Sequence, residues 1–519
     1  LFKEGLMATQ ETHVARHTGQ PVRTAALAGT KSRKTRKKFS RRLIAFAAWL
    51  GPSLARMGLM RRQLMKFWEK KLMGAAEDMI ERGVNPPGVI RDRAAMGMAM
   101  VKSIERVMCR GNIGRVGLNR ILNTLIGDSF VNAGIPSAKE RFKAEFGVRP
   151  PGFFLISPTK ACNLRCTGCY ADSGETAEKL EWPIMTRMIR ECRDLWGVVF
   201  YVISGGEPLV YRDQGKSVLD LAEANPDCFF MMYTNGTLID DRVARRMGEL
   251  GNIMPAISVE GLREPTDKRR GAGVFDQILA AMERLRREKV VFGVSMTATR
   301  DNADVLLSDE VVDFYFTKMG AMFGWLFHYM PMGRAYTLEM LPTPEQRLRL
   351  WQRSRELIYD KQVFLADFWN SGPASHGCIS AGYEGGYLTV DWNGKITPCV
   401  FMPYSPMNIH DVYAQGKNLN DVWKDPFLAR VRAWQWEYSN EKKYTKGSWH
   451  GNWMTPCPIR DHYDQFHKML EEHHPEPVDE NARAAMEDPD YLKGMVAYNK
   501  EVARLLDPIW GKRYMKDGH

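Results

Sequence analysis

The chain reads as an α/β protein built on an incomplete (β/α)6 barrel, with a helical extension before it and a cysteine-bearing region after it. Three observations predict this. Short, continuous apolar runs alternate with amphipathic segments between residues 153 and 330, the pattern of parallel strands joined by helical crossovers. At 519 residues the chain is too long for one small core. Three of its nine cysteines fall within eight positions, directly after the first apolar run.

Residues 1–30 carry little pattern and are expected to be disordered. Residues 31–150 read as a basic, helical extension, rich in Ala, Met, Leu and Arg and broken at "NPPG" (85–88) and "NAGIP" (132–136). Between Lys31 and Lys71 fourteen Lys or Arg face a single acid, Glu69, while the rest of this +12 chain is near balance. The apolar run "LIAFAAWLGPSLA" (43–55) is too short to span a bilayer, holds Gly51 and Pro52, and lacks a small-residue cleavage pattern. Arg56, Arg61, Arg62 and Lys66 then interleave with Leu59, Met60, Leu64, Met65, Phe67 and Trp68. Such a basic amphipathic pattern suits a helix lying on an anionic membrane surface. A solvated basic face or a nucleic-acid contact would have the same composition. The expected location is therefore cytoplasmic, peripheral on the inner face of the membrane, with nucleic acid the disfavoured partner.

Six runs predict the barrel strands over residues 151–343: "FFLIS" (153–157), "VVFYVIS" (198–204), "CFFMMYT" (228–234), "MPAISV" (254–259), "VVFGVSMTA" (290–298) and "MFGWLFHYM" (322–330). Helix-like segments at 183–196, 240–250 and 274–289 lie between them. In a barrel of this kind chemistry gathers at the C-terminal strand ends. Residues 344–470 read as a linker helix followed by a Gly- and aromatic-rich region. Residues 471–519 form a tail, acidic at first, expected to wrap the surface or stay mobile.

The cysteines are odd in number, sparse and unevenly spaced, which argues for a reducing compartment and against a disulfide framework. Cys162, Cys166 and Cys169 follow a C-x3-C-x2-C spacing in the loop after the first strand. A structural zinc site needs four protein ligands, and no fourth Cys or His lies nearby. Three thiolates suit three corners of a [4Fe–4S] cube, leaving one iron open to an external ligand.

Further motifs follow at successive strand ends: "SGGEP" (204–208), "YTNGT" (233–237), "ISVEG" (257–261), "DKRRGAGVFD" (267–276) and "PMGRA" (331–335). Together with the cysteine triplet they resemble the radical S-adenosylmethionine (SAM) superfamily. The resemblance implies a partial (β/α)6 TIM-like barrel whose open iron chelates SAM and whose reduced cluster cleaves it to a 5′-deoxyadenosyl radical. It also implies a one-electron reductant such as flavodoxin or ferredoxin. Cys162, Cys166 and Cys169 become the cluster ligands. Tyr170, Ser204, Gly205, Gly206, Glu207, Pro208, Thr234, Asn235, Ser258, Glu260 and Arg270 become cofactor-binding residues. Glu207 is placed to accept from the SAM ammonium, and Arg270 to hold an anionic group. Gly168 stands where an aromatic residue is frequent in the family, and Glu260 where an Asp is usual. His328 and Tyr329, ending the sixth strand, are candidates for substrate contact or hydrogen-atom relay, so the candidate catalytic set is Glu207, His328 and Tyr329.

Cys378, Gly394 and Cys399 form C-x15-G-x4-C, which looks like the start of the auxiliary-cluster domain called SPASM, or of its shorter relative called twitch. Asn393-Gly394 signals a type I′ hairpin turn. Cys457 is the natural third ligand of one auxiliary [4Fe–4S] cluster. Its fourth ligand is left open among His376, His410, a carboxylate and a substrate atom. Cys109, Cys192 and Cys228 read as core residues. The expected activity is hydrogen abstraction from an unactivated carbon of a lipid-like or other hydrophobic substrate. The alternatives are modification of a peptide or protein side chain and, from another class, an iron–sulfur RNA-binding or scaffold protein.

Overall fold

The computed structural model describes residues 58–83, 85–131, 134–440 and 451–515. Residues 1–57, with the expected disorder of 1–30, the apolar run 43–55 and the start of the basic amphipathic stretch at Arg56, lie outside the described residues, as does part of the Trp-rich 434–453 segment. Six strands carry the predicted apolar runs: β1 (Phe153–Ile156), β2 (Phe200–Ile203), β3 (Phe229–Thr234), β4 (Ile253–Val259), β5 (Gly293–Ala298) and β6 (Gly324–His328). Each pairs in parallel with the next. Helices such as Trp182–Trp196, Asp241–Leu250 and Val274–Arg287 make the crossovers, as a parallel connection requires.

Two further strands lengthen the sheet. β7 (Leu365–Asp367), unforeseen in the sequence, adds in parallel to β6, and β8 (Tyr387–Val390), the first arm of the expected hairpin, adds in parallel to β1. β9 (Lys395–Thr397) and β11 (Met407–Asn408) continue beyond β8 in antiparallel pairings. β10 (Tyr404–Ser405) pairs separately with β12 (Glu476–Pro477). The cysteine-bearing region is thus hydrogen-bonded to the barrel's first strand. β7 escaped sequence reading because three residues are too few to show a period.

The β8–β9 turn departs from the type I′ expectation. That turn needs positive φ at both central residues, and only Gly394, at φ 79°, has it. Asp391 Oδ1 accepts from the backbone N–H groups of Asn393 and Lys395 at 2.9 Å, and Gly394 N–H bonds the Asp391 carbonyl at 3.0 Å. The side-chain acceptor favours an ordinary turn closed by one left-handed glycine.

Alternation along the strands separates two faces. Phe154, Ile156, Tyr201, Ile203, Phe230 and Met232 are buried on one of them. On the other, Ser258 on β4 lies in register with Ser295 on β5, and Ser295 with Trp325 on β6. Ser258, Trp325, Thr297 and Phe327 remain half-buried, which marks the concave face.

The extension and the tail close on each other. In helix Gly58–Glu81, Met65, Leu72, Ala76 and Met79 are buried, Met65 and Leu72 clustering with Met98 and the other two with Ile90 and Ala94, all three on helix Pro87–Cys109. Its Lys66, Phe67, Lys70 and Lys71 are exposed. No helix among the described residues is long and apolar enough to cross a membrane. The tail packs firmly as far as Tyr514: Val502, Leu506, Trp510 and Tyr514 share a core with Val89, Trp351 and Trp453. Each such burial contributes about 1.5–3 kcal/mol. At the centre Asp92 accepts from Arg355, Tyr359 and Tyr514, each at 2.7 Å, tying the extension to helix Pro344–Tyr359 and the tail.

Candidate active site

The cysteine loop leaves β1 and is fixed by three neighbouring strand ends. From β2, Gly206 N–H bonds the Thr159 carbonyl at 2.8 Å and Glu207 N–H bonds the Ala161 carbonyl at 2.9 Å. A β-carbon at Gly206 would lie 2.2 Å from the Ala161 oxygen, so this close approach admits only glycine. The glycines bring the β2 loop against the cysteine loop itself. Tyr170 adds a second tie: its hydroxyl stands 2.7 Å from Ser204 Oγ and accepts from Gly205 N–H at 3.2 Å.

Glu207 faces inward. It is fully buried, and its carboxylate accepts from Leu209 N–H at 3.1 Å, Thr234 Oγ1 at 2.8 Å and Asn235 N–H at 2.8 Å. Burial pushes its pKa up, against these donors. The carboxylate expected to meet an ammonium group therefore joins the ends of β2 and β3. Asn235, so positioned, donates to Asn163 Oδ1 at 2.9 Å and approaches Cys162 Sγ at 3.8 Å.

From β4 comes Glu260, fully buried, which pairs with both Arg269 and Arg270. One carboxylate between two guanidiniums leaves net positive charge beside the thiolates. Arg270 Nη1 lies 3.9 Å from Cys166 Sγ. Arg269 Nε donates to the Thr167 carbonyl at 3.1 Å, and Thr167 N–H returns a bond to the Arg269 carbonyl at 3.0 Å. The anionic group that engages Arg270 in this chain is Glu260.

The loop after β6 completes the clamp. Arg334 Nη1 donates to the Cys166 carbonyl at 2.6 Å, Nε to Asp172 Oδ1 at 3.0 Å, and Nη2 to the Ser173 carbonyl. Its backbone N–H bonds the Cys169 carbonyl at 3.0 Å. Asn163, Arg269 and Arg334 were absent from the sequence-derived site. The "RRG" and "GRA" motifs contain two of them but say nothing of what they touch.

His328 and Tyr329 depart from expectation. His328 follows Leu326 on the helix-facing side of β6, fully buried, away from the concave surface. Its Nε2 is 3.3 Å from Asp367 Oδ1, and Arg460 Nη2 donates to its Nδ1 at 3.1 Å. Burial pushes its pKa down to about 4. The ring meets Asp367, Arg460 and Trp369. Tyr329 is also buried, its hydroxyl donating to the Ala335 carbonyl and its ring packing beside Gly168. It shapes the loop that carries Arg334.

The second cysteine set also converges. Cys378 Sγ donates to Ser380 Oγ at 3.3 Å, and the neighbouring Cys457 thiol holds Cys378 below the ordinary thiol range against the effect of burial. Cys399 lies 2.9 Å from the Tyr387 hydroxyl and accepts from Phe401 N–H at 3.4 Å. A buried chain runs from His328 to this set: Asp367 accepts from Asn370, Asn370 Oδ1 from Arg347, Arg347 pairs with Asp461, and Asp461 Oδ2 accepts from Cys457 N–H at 3.1 Å. His410 is engaged elsewhere, its ring nitrogens 2.8 Å from Asn408 Oδ1 and 2.7 Å from Glu181 Oε2. The His376 ring rests against Trp453. Cys192 and Cys228 are buried as expected, whereas Cys109 is exposed because it ends its helix.

Between the two cysteine sets stands an aromatic wall. Tyr170 next to Cys169 meets Phe401 next but one to Cys399, with centroids 5.8 Å apart, and Phe401 packs on Phe327, Phe368 and Trp369.

Residues 156–302 match the family model described as the radical SAM superfamily. The chain carries a radical SAM domain over those residues. Similar curated proteins include the mycofactocin maturase MftC of Mycobacterium tuberculosis, 29% identical over 318 residues, covering 57% of this chain and 75% of that protein. The AdoMet-dependent heme synthase of Methanosarcina barkeri is 25% identical over 299 residues, covering 52% and 82%. The sporulation killing factor maturation protein SkfB of Bacillus subtilis is 27% identical over 250 residues, covering 46% and 58%. This radical SAM enzyme is therefore expected to hold a [4Fe–4S] cluster and SAM, and the cysteine loop fits a cube. Donors from Leu164 N–H at 3.4 Å, Asn235 and Arg270 point at its sulfurs, as thiolate ligands require.

Proposed function

We propose that this radical SAM enzyme is a peptide-modifying maturase carrying an auxiliary iron–sulfur cluster on Cys378, Cys399 and Cys457. The observation that carries the reading is the alignment with MftC. Its 318 residues extend well beyond the 156–302 family core, and that relative is named for maturation. SkfB is named for maturation as well. These relatives favour a peptide over the lipid-like substrate expected from the basic extension.

A [4Fe–4S] cluster would be held by Cys162, Cys166 and Cys169 and would supply the electron for reductive cleavage of SAM, the chemistry that yields a hydrogen-abstracting radical. The protein's part is placement and shelter. Arg334, Arg269 and Glu207 hold the loops that present Cys162, Cys166 and Cys169. Ser258, Ser295 and Thr297 offer hydroxyls on the concave face, and Tyr170, Tyr233, Phe327 and Phe368 wall it against water. The heme synthase relative favours a second reading, a porphyrin-type substrate against the same wall.

The test is anaerobic. Reconstituted protein with dithionite and SAM is expected to release 5′-deoxyadenosine, and Cys162→Ala to abolish it. Release is then compared with a peptide encoded beside the gene, with iron-coproporphyrin and with a lipid extract. Stimulation and a product mass shift by the peptide support the proposal. Stimulation by coproporphyrin or lipid alone overturns it.

A further inference from the structure

We infer that the Tyr387 hydroxyl donates a hydrogen bond to the Cys399 thiolate and thereby raises the reduction potential of the auxiliary cluster. The inference rests on the proposed reading that Cys378, Cys399 and Cys457 bind a cluster.

The phenol oxygen stands 2.9 Å from Cys399 Sγ, and Tyr387 is 2% exposed. Between a thiol and a phenol either atom could donate. A thiolate bound to iron has no proton, so the phenol must be the donor. Phe401 N–H is a second donor at 3.4 Å. In a dry, low-dielectric site such bonds are strengthened. Hydrogen bonds to cluster sulfurs withdraw electron density and favour the reduced state. The donors facing the SAM-cluster thiolates are longer, at 3.4, 3.8 and 3.9 Å.

The ring cannot swing away. Tyr387 opens β8 in register with Phe153 on β1, and the two rings stack with centroids 4.8 Å apart and planes 14° apart. The donor is therefore anchored to the strand from which the SAM-cluster loop departs. Tyr387 is a positioning residue and touches no reacting carbon.

The experiment uses the full chain with Cys162, Cys166 and Cys169 changed to Ala, reconstituted anaerobically, so that only the auxiliary set can hold iron. About four irons per chain are expected. Tyr387→Phe keeps the ring and its stacking but removes the donor. The expected result is the same iron content with a more negative midpoint in a redox titration followed by electron paramagnetic resonance. Incorporation of 3-fluorotyrosine at 387, a stronger donor of nearly the same shape, should move the midpoint upward. Full iron with an unmoved midpoint in both variants overturns the role of Tyr387 alone. A phenolate-to-iron absorption band lost in Tyr387→Phe also overturns it, in favour of direct ligation. If the parent triple variant binds no iron, the auxiliary-cluster reading falls and this inference with it. Should Tyr387→Phe lose its iron, the fluorotyrosine midpoint decides: an upward shift supports the inference and no shift overturns it.

Discussion

Arg334, at the far edge of the six-stranded barrel, donates to the carbonyl of Cys166 across 2.6 Å, so the last barrel loop holds the first. With its bonds to Asp172, Ser173 and Cys169, this one residue sets the shape of the loop that presents three thiolates. Arg334→Lys can keep at most part of this fork. SAM cleavage is expected to fall about 10–100-fold, the usual effect of losing an outer-shell partner of a metal site. The 5′-deoxyadenosine rate per cluster measures it. An unchanged rate at full iron content would remove Arg334 from the site.

Glu207 holds the β3 end by accepting three bonds while fully buried. Glu207→Gln turns an amide N–H2 toward at least one of those donors. Leaving a buried donor unsatisfied costs about 1–3 kcal/mol, to be read as a lower urea midpoint of the metal-free chain. A contact to SAM alone would leave that midpoint in place and weaken only SAM binding.

Asp92 and Arg355 form a buried pair at 2.7 Å between extension and linker helix. Asp92→Asn strands a buried guanidinium, at a cost of about 3–5 kcal/mol. Thermal unfolding should show the loss, and a second change, Arg355→Met, should return part of it. If Asp92→Asn alone unfolds like the parent, the pair does not join the extension to the barrel.

His328 gives stability a pH dependence. Burial pushes its folded pKa down to about 4, below the ordinary 6.5, and Arg460 donates to its bare Nδ1. The unfolded chain therefore takes up the proton first. Stability is fully present above about pH 6.5 and falls as pH drops toward 4, by up to about 3 kcal/mol. Urea midpoints of the metal-free chain across that window test it. His328→Gln should flatten the slope, and an equally steep slope in that variant would assign it to other groups.

The repeating apolar runs made all six barrel strands legible, because a strand buried on both faces needs a continuous apolar segment. The cysteine triplet and the strand-end motifs were equally legible, since each is local in sequence. β7, β8's place beside β1, and the packed tail were not. β7 and β8 are short, and their pairing partners lie far away in sequence.

By itself, then, the sequence determined the strand order, the cysteine-bearing loops and the family, all of which depend on residues within a few positions of one another. Tertiary structure alone decided which way each side chain faces. Glu207 joins two strands, Glu260 receives Arg269 and Arg270, His328 meets Asp367 and Arg460, and Arg334 reaches Cys166 across 168 residues. The physical reason is that a motif supplies donors and acceptors, but a buried polar group bonds to whatever the fold brings within about 3 Å of it.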